Sequence, residues 1–138
     1  MERIADRLHA AAIHLLRRLR VQDEALGVSA PRLSVLSVLV FAGPKRIGEL
    51  ARIEQVEPPT MTRLVDALVR GGLAARDRDP HDARAVVVRA TVRGRRTLER
   101  GRSRRLEALE ASLRGLSPRE LRALGSGVEV LERVLRGR

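Results

Sequence analysis

The feature that most constrains this chain is a change of hydrophobic period within residues 46–94. Two stretches with helical spacing are followed at once by a β-branched run with strand character. Ile47-Gly48-Glu49-Leu50-Ala51-Arg52-Ile53 sets Ile47, Leu50 and Ala51 on one side of a short helix. Gln55-Val56-Glu57-Pro58 reads as a turn, with Val56 placed for burial between two helices. Residues 59–69 space Leu64, Val65, Leu68 and Val69 as the inward face of a second helix, opened by proline and closed by Gly71-Gly72. Two short helices joined by a tight turn form a helix-turn-helix. Residues 73–78 and 85–90 then read as strands around an Asp79-Pro80-His81-Asp82 turn. A plain antiparallel helix pair accounts for the first half of this pattern. A hairpin directly behind the second helix is what makes the segment a winged helix-turn-helix.

The flanks are helical. Ile4, Leu8, Ala12, Leu15 and Leu19 make one apolar stripe over residues 2–20. After a break at Gly27, Ser29 and Pro31 mark a helix start. Residues 31–41 carry Leu33, Val35, Leu36, Val38, Leu39 and Val40, apolar nearly all round, which predicts a central, buried helix ended by Gly43-Pro44. Thr91 is the expected N-cap of a helix over 92–114, with Leu98, Leu106, Leu109 and Leu113 on its apolar side. Ser117-Pro118-Arg119-Glu120 is a capping box opening a last helix, whose Leu121, Leu124, Val128, Leu131 and Leu135 fall close to a heptad seam. The terminal seams fit either an intramolecular core or pairing with a second copy of the chain. Pairing is the preferred reading, because a long exposed seam is an aggregation hazard. The fold class is therefore mainly α (α+β).

Composition narrows the chemistry. The 138 residues suit one domain, with no room for a large catalytic domain beside it. No apolar run approaches the ~20 residues of a membrane span, and the amphipathic N-terminus lacks a signal-peptide core, so a cytoplasmic protein is expected. The absence of cysteine excludes thiol nucleophiles and thiolate metal sites. His9 and His14 are five apart and face different sides of a helix. No Ser/His/Asp constellation, glycine-rich phosphate loop or metal-ligand cluster is present, so neither an enzyme nor a cofactor is expected.

The net charge is +11, and residues 45–105 hold 16 basic against 8 acidic side chains. A concentrated basic excess is what a phosphate backbone requires. A single aromatic residue, Phe41, argues against stacking on single strands. Because Lys45 is the only lysine, an arginine-rich, GC-rich genome accounts for part of the excess. The candidate contacts are Pro59, Thr60, Thr62 and Arg63 at the start of the second helix, where hydroxyls and a guanidinium reach base edges or phosphates. Arg76, Arg78, His81, Asp82 and Arg84 belong to the wing, whose arginine suits a narrow minor groove, with Asp82 placed to hold the Arg84 guanidinium. A solvated charged turn is the plain alternative for the wing tip.

Gly72-Leu73-Ala74-Ala75-Arg76, Asp82-Ala83-Arg84 and Ala90-Thr91-Val92-Arg93-Gly94 together resemble the MarR family (multiple antibiotic resistance regulators). That family joins a helix-turn-helix to Gly-Leu-x-x-Arg, an Asp-x-Arg wing and a Leu-Thr-x-x-Gly helix start. Ala90 stands where leucine is usual. The resemblance, which covers essentially the whole chain, implies a homodimer held by helices in 1–28 and 115–138, a DNA-binding lobe over 30–92 and a connecting helix over 93–114. It implies recognition helices in successive major grooves of a pseudo-palindromic operator, wings in the adjacent minor grooves, and a transcriptional regulator, with repression the preferred reading. It also implies a small lipophilic or phenolic effector, for which His14, Arg18, Leu36, Val40 and Met61 are the candidate contacts; a tightly packed junction without a pocket is the competing reading. The alternative function is a sequence-tolerant architectural DNA-binding protein without an effector.

Overall fold

The computed structural model describes residues 1–137 as six helices and one hairpin. In order they are α1 (Glu2–Glu24), α2 (Ala30–Ala42), α3 (Ile47–Glu54), α4 (Pro58–Arg70), β1 (Ala74–Arg78), β2 (Val86–Ala90), α5 (Val92–Leu113) and α6 (Pro118–Leu135). The residues form two compact units, Met1–Arg105 and Leu106–Arg138.

The core of the first unit is built on α2. Val35, Leu36 and Leu39 are buried there beside Leu50 and Ala51 of α3, Met61, Val65 and Leu68 of α4, and Val88 of β2. Each such aliphatic side chain contributes about 1.5–3 kcal/mol by leaving water. As expected from its sequence, α2 is central, although Phe41 at its end stays 78% exposed. Val56, in the turn between α3 and α4, packs half-buried against this core. The turn closes through Gln55, a non-glycine residue at φ 55°, and the Val56 N–H reaches back to the Ala51 carbonyl at 3.0 Å.

At the other end of α4, Gly72 (φ +72°) donates to the Val69 carbonyl and Leu73 to the Leu68 carbonyl, at 3.0 and 2.9 Å. This is a Schellman ending, with Leu73 as the apolar residue that returns the chain to the core. β1 then pairs antiparallel with β2, Ala74 opposite Ala90 and Arg78 opposite Val86. Lys45 forms an isolated antiparallel bridge to β2, exchanging both backbone hydrogen bonds with Val88 at 3.0 and 2.8 Å.

Thr91 fastens the hairpin's return to α5. Its hydroxyl donates to the Gly72 carbonyl at 2.6 Å and accepts from the Gly94 N–H at 3.0 Å, while its own N–H reaches the Leu73 carbonyl at 3.1 Å. Thr91 thus caps α5 as its sequence position suggested.

α1 runs four residues past its expected end at Arg20, and Asp23 in that extra turn pairs with Arg105. No residue of α1 or α6 is buried. Ile4, Leu8 and Leu15 of α1 are exposed, as are Leu121, Leu124, Val128 and Leu135 of α6. The α6 capping box forms as read: the Ser117 hydroxyl accepts from the Glu120 N–H at 3.3 Å, and Glu120 accepts the Ser117 N–H at 2.8 Å.

Two glycines make a contrasting test. A Cβ on Gly94 would stand 2.0 Å from the Leu73 carbonyl oxygen, a backbone atom that cannot move aside, whereas one on Gly48 meets nothing within 4 Å. Gly94→Ala is expected to destabilise by about 2–3 kcal/mol or to prevent folding. Gly48→Ala is expected to stabilise by about 0.5–1 kcal/mol. Urea denaturation of both variants checks the pair; equal effects would refute the packing described.

Candidate nucleic-acid interface

α4 is amphipathic because Met61, Val65 and Leu68 recur at helical spacing and sink into the core. Its start falls at Pro58, one residue before the sequence suggested, so Pro58 and Pro59 occupy the first two helical positions, where a missing N–H costs nothing. The face turned from the core presents Pro59, Thr60, Thr62 and Arg63, all exposed. Thr62 donates its hydroxyl to the Pro58 carbonyl at 3.0 Å and keeps only acceptor capacity outward. Among the described residues Arg63 has no acidic partner.

The arginines of the lobe fall into two groups. Arg76 is ion-paired with Asp66, which ties β1 to α4, and Arg89 with Asp77, its diagonal neighbour across the hairpin. Arg78 and Arg84, both exposed at the wing, have no acidic partner among the described residues. Arg76 therefore braces β1 against α4, while no carboxylate neutralises Arg63, Arg78 or Arg84 among the described residues. His81 is exposed on the turn beside them.

The wing tip differs from the sequence expectation in one respect. Asp82 does not hold the Arg84 guanidinium; its Oδ1 accepts from the Arg84 backbone N–H at 3.0 Å. A short carboxylate reaches the N–H two residues on without ordering a long side chain, so the local bond wins. The side-chain pair at this turn is made by Asp79, with Arg46. Its Oδ1 accepts from the His81 N–H at 2.8 Å, and its Oδ2 accepts from Nε and Nη2 of Arg46 at 2.8 and 2.6 Å. Arg46 is also the N-cap of α3, where its N–H donates to Glu49 at 3.0 Å. Sequence reasoning missed Arg46 because its partner is 33 residues away; the local signal was only an aspartate opening a turn.

The residues proposed for an effector are scattered in this respect. Leu36 and Met61 have no exposure at all and belong to the core, because each lies on its helix's inward stripe. Val40 lines a cavity of about 440 Å³ with Ser37, Phe41, Arg95, Leu98 and Arg102. His14 and Arg18 are on exposed positions of α1.

The MarR family model matches residues 28–86. Over 129 residues the chain is 33% identical to an HTH-type transcriptional regulator of Mycobacterium bovis, covering 94% of this chain and 90% of the relative. A solved transcriptional regulator from Thermotoga maritima is similar with a TM-score of 0.87 at 25% identity, over 99% of this chain and 96% of that one. A mutant of S. aureus MepR, bound to an oligodeoxyribonucleotide, has the same fold, with a TM-score of 0.77 at 19% identity over 96% of this chain and 97% of that one.

The Asp79 carboxyl is held below the usual carboxylate range, first by the His81 N–H and then by Arg46. A depressed folded-state value stabilises above the unfolded pKa of about 4 and is lost as pH falls through the folded value. Asp79→Asn should therefore melt below the parent at pH 7, and the gap should narrow as the pH falls below about 4 and through the folded value. Thermal melts of both proteins across that range check the sign; a gap that widens in acid would refute it.

Proposed function

The chain belongs to the MarR family of DNA-binding transcriptional regulators, and we propose that it acts as a homodimeric repressor on a pseudo-palindromic operator. The observation that carries this reading is the division of the arginines. Those that brace the lobe are paired with acids, while Arg63 on the recognition helix and Arg78 and Arg84 on the wing are unpaired and exposed. Uncompensated guanidiniums on α4 and on the wing suit a polyanion. α4 enters the major groove by its N-terminal end, with Thr60, Thr62 and Arg63 at base edges or phosphates, and the wing follows the adjacent minor groove. In the MepR structure a protein of this fold is bound to an oligodeoxyribonucleotide, which is consistent with that docking.

The dimer reading rests on the exposed apolar seams of α1 and α6. Two subunits sharing one seam form an isologous contact and place two recognition helices on two half-sites. The site for an effector is the Val40 cavity, where Val40, Phe41 and Leu98 give apolar walls and Arg95, Glu99 and Arg102 a rim of mixed charge. A small lipophilic or phenolic molecule matches such a lining.

The DNA test begins with selection of bound fragments from genomic sequence, then compares the selected site with random duplex. Arg63→Ala is expected to cost about 1–3 kcal/mol on the selected site and to relax preference at one base pair. Arg84→Ala is expected to weaken binding strongly with little change in melting temperature. Equal affinity for selected and random DNA would instead support a sequence-tolerant architectural protein.

The dimer is tested by sedimentation equilibrium at micromolar concentration, expected at twice the chain mass. Leu124→Glu combined with Val128→Glu should shift the protein to monomer or to aggregate. A folded, monodisperse monomer of the parent chain would overturn the dimer reading.

A further inference from the structure

At the end of α4 far from Thr60, a cleft of about 210 Å³ is lined by Arg32, Arg93 and Arg100 together with Thr97, Gly71 and Leu26. No carboxylate is among its lining residues. Each guanidinium rests on a neutral neighbour. Arg32 donates from Nε to the Ser29 hydroxyl at 3.0 Å, and Arg100 from Nη2 to the Thr97 hydroxyl at 3.4 Å. Arg93 lies over Gly72, where a Cβ would come within 3.6 Å of its Nη1. Thr97 is only 4% exposed, so one wall of the cleft is a buried hydroxyl side chain.

Four arginines elsewhere in the first unit are neutralised. Asp23, Asp66, Asp77 and Asp79 each neutralise an arginine, namely Arg105, Arg76, Arg89 and Arg46. The three arginines of the cleft have no acidic partner among the described residues. Three like charges gathered at one small cleft repel one another, and a small anion of high charge density relieves that repulsion more than a scattered counterion cloud does. Guanidinium forks also match the oxygens of a phosphate or carboxylate two at a time. Three forks exceed what a single carboxylate's two oxygens accept bidentately, whereas a phosphate-class ion has oxygens for all of them.

We propose that the cleft of Arg32, Arg93 and Arg100 binds a small free dianion of the phosphate class. DNA is the competing source of that chemistry. At about 1.5 Å per residue, Gly71 lies roughly 16 Å along α4 from Thr60, which separates the cleft from the end of the helix assigned to bases. The bound anion would touch the α1–α2 turn, the last turn of α4 and the first turns of α5 together, so occupancy bears on the recognition helix from behind.

Isothermal titration of the full chain with inorganic phosphate, against chloride of matched ionic strength, tests the site. The expected result is saturable binding of one phosphate per chain. Arg93→Gln with Arg100→Gln should weaken it at least ten-fold, while Arg104→Gln with Arg114→Gln, the same charge loss on exposed positions outside the cleft, should change it less than two-fold. Melting curves confirm that both double variants remain folded. Duplex binding is then compared between the two double variants in phosphate-free buffer, where affinities within two-fold of each other are expected. The proposal is overturned if phosphate gives no saturable binding above chloride, or if both double variants lose it equally. It is likewise overturned if the cleft variant alone loses duplex binding ten-fold, which would assign the arginines to the DNA backbone.

Discussion

The lobe depends on one tightly packed junction, where the chain leaves α4 and where it enters α5. Gly72 supplies the left-handed turn, Leu73 returns to the core, and the Thr91 hydroxyl spans from the Gly72 carbonyl to the Gly94 N–H. Gly94 must lack a Cβ because the Leu73 carbonyl occupies that space. These four residues close the hairpin at its base and fix where both helices point. Gly72-Leu73 and Thr91-Val92-Arg93-Gly94, apart in sequence, are two sides of one contact.

Electrostatics perform a second, separate task. The acids of the lobe are few and are spent internally, Asp66 on Arg76, Asp77 on Arg89 and Asp79 on Arg46. Exposed pairs of this kind add at most about 1 kcal/mol each, so stability alone is a weak reason for them. Their larger effect is selective neutralisation. They quiet the arginines that lie between elements and leave positive charge at the recognition helix, at the wing tip and in the cleft behind α4.

Much of this was legible in the sequence. The change from helical to alternating spacing located α3, α4 and the hairpin, since period follows directly from which side chains can share a face. Proline and glycine marked most ends to within a residue, as at Pro58-Pro59 of α4, and the four-residue miss is the end of α1, where neither stands. Long-range partners were not legible. Lys45 joins Val88, and Arg46 joins Asp79, across more than thirty residues that no local pattern connects. Asp82 and Arg84 were read as a side-chain pair because their spacing allows one, but a backbone N–H two residues on is the nearer donor. Met61 and Leu36 show the reverse error: residues suited to greeting a lipophilic ligand are equally suited to the core, and their helical phase decided for the core.

The anchoring of the wing through Arg46 and Lys45 has a mechanical consequence. Both residues sit at the entry to α3, so the hairpin is clamped at its far end by the helix-turn-helix as well as at its base by Thr91. A hairpin held at one end is a spring; held at both, it is a strut. The spacing between the wing tip and α4 is thereby set by contacts within a single subunit, without help from any partner.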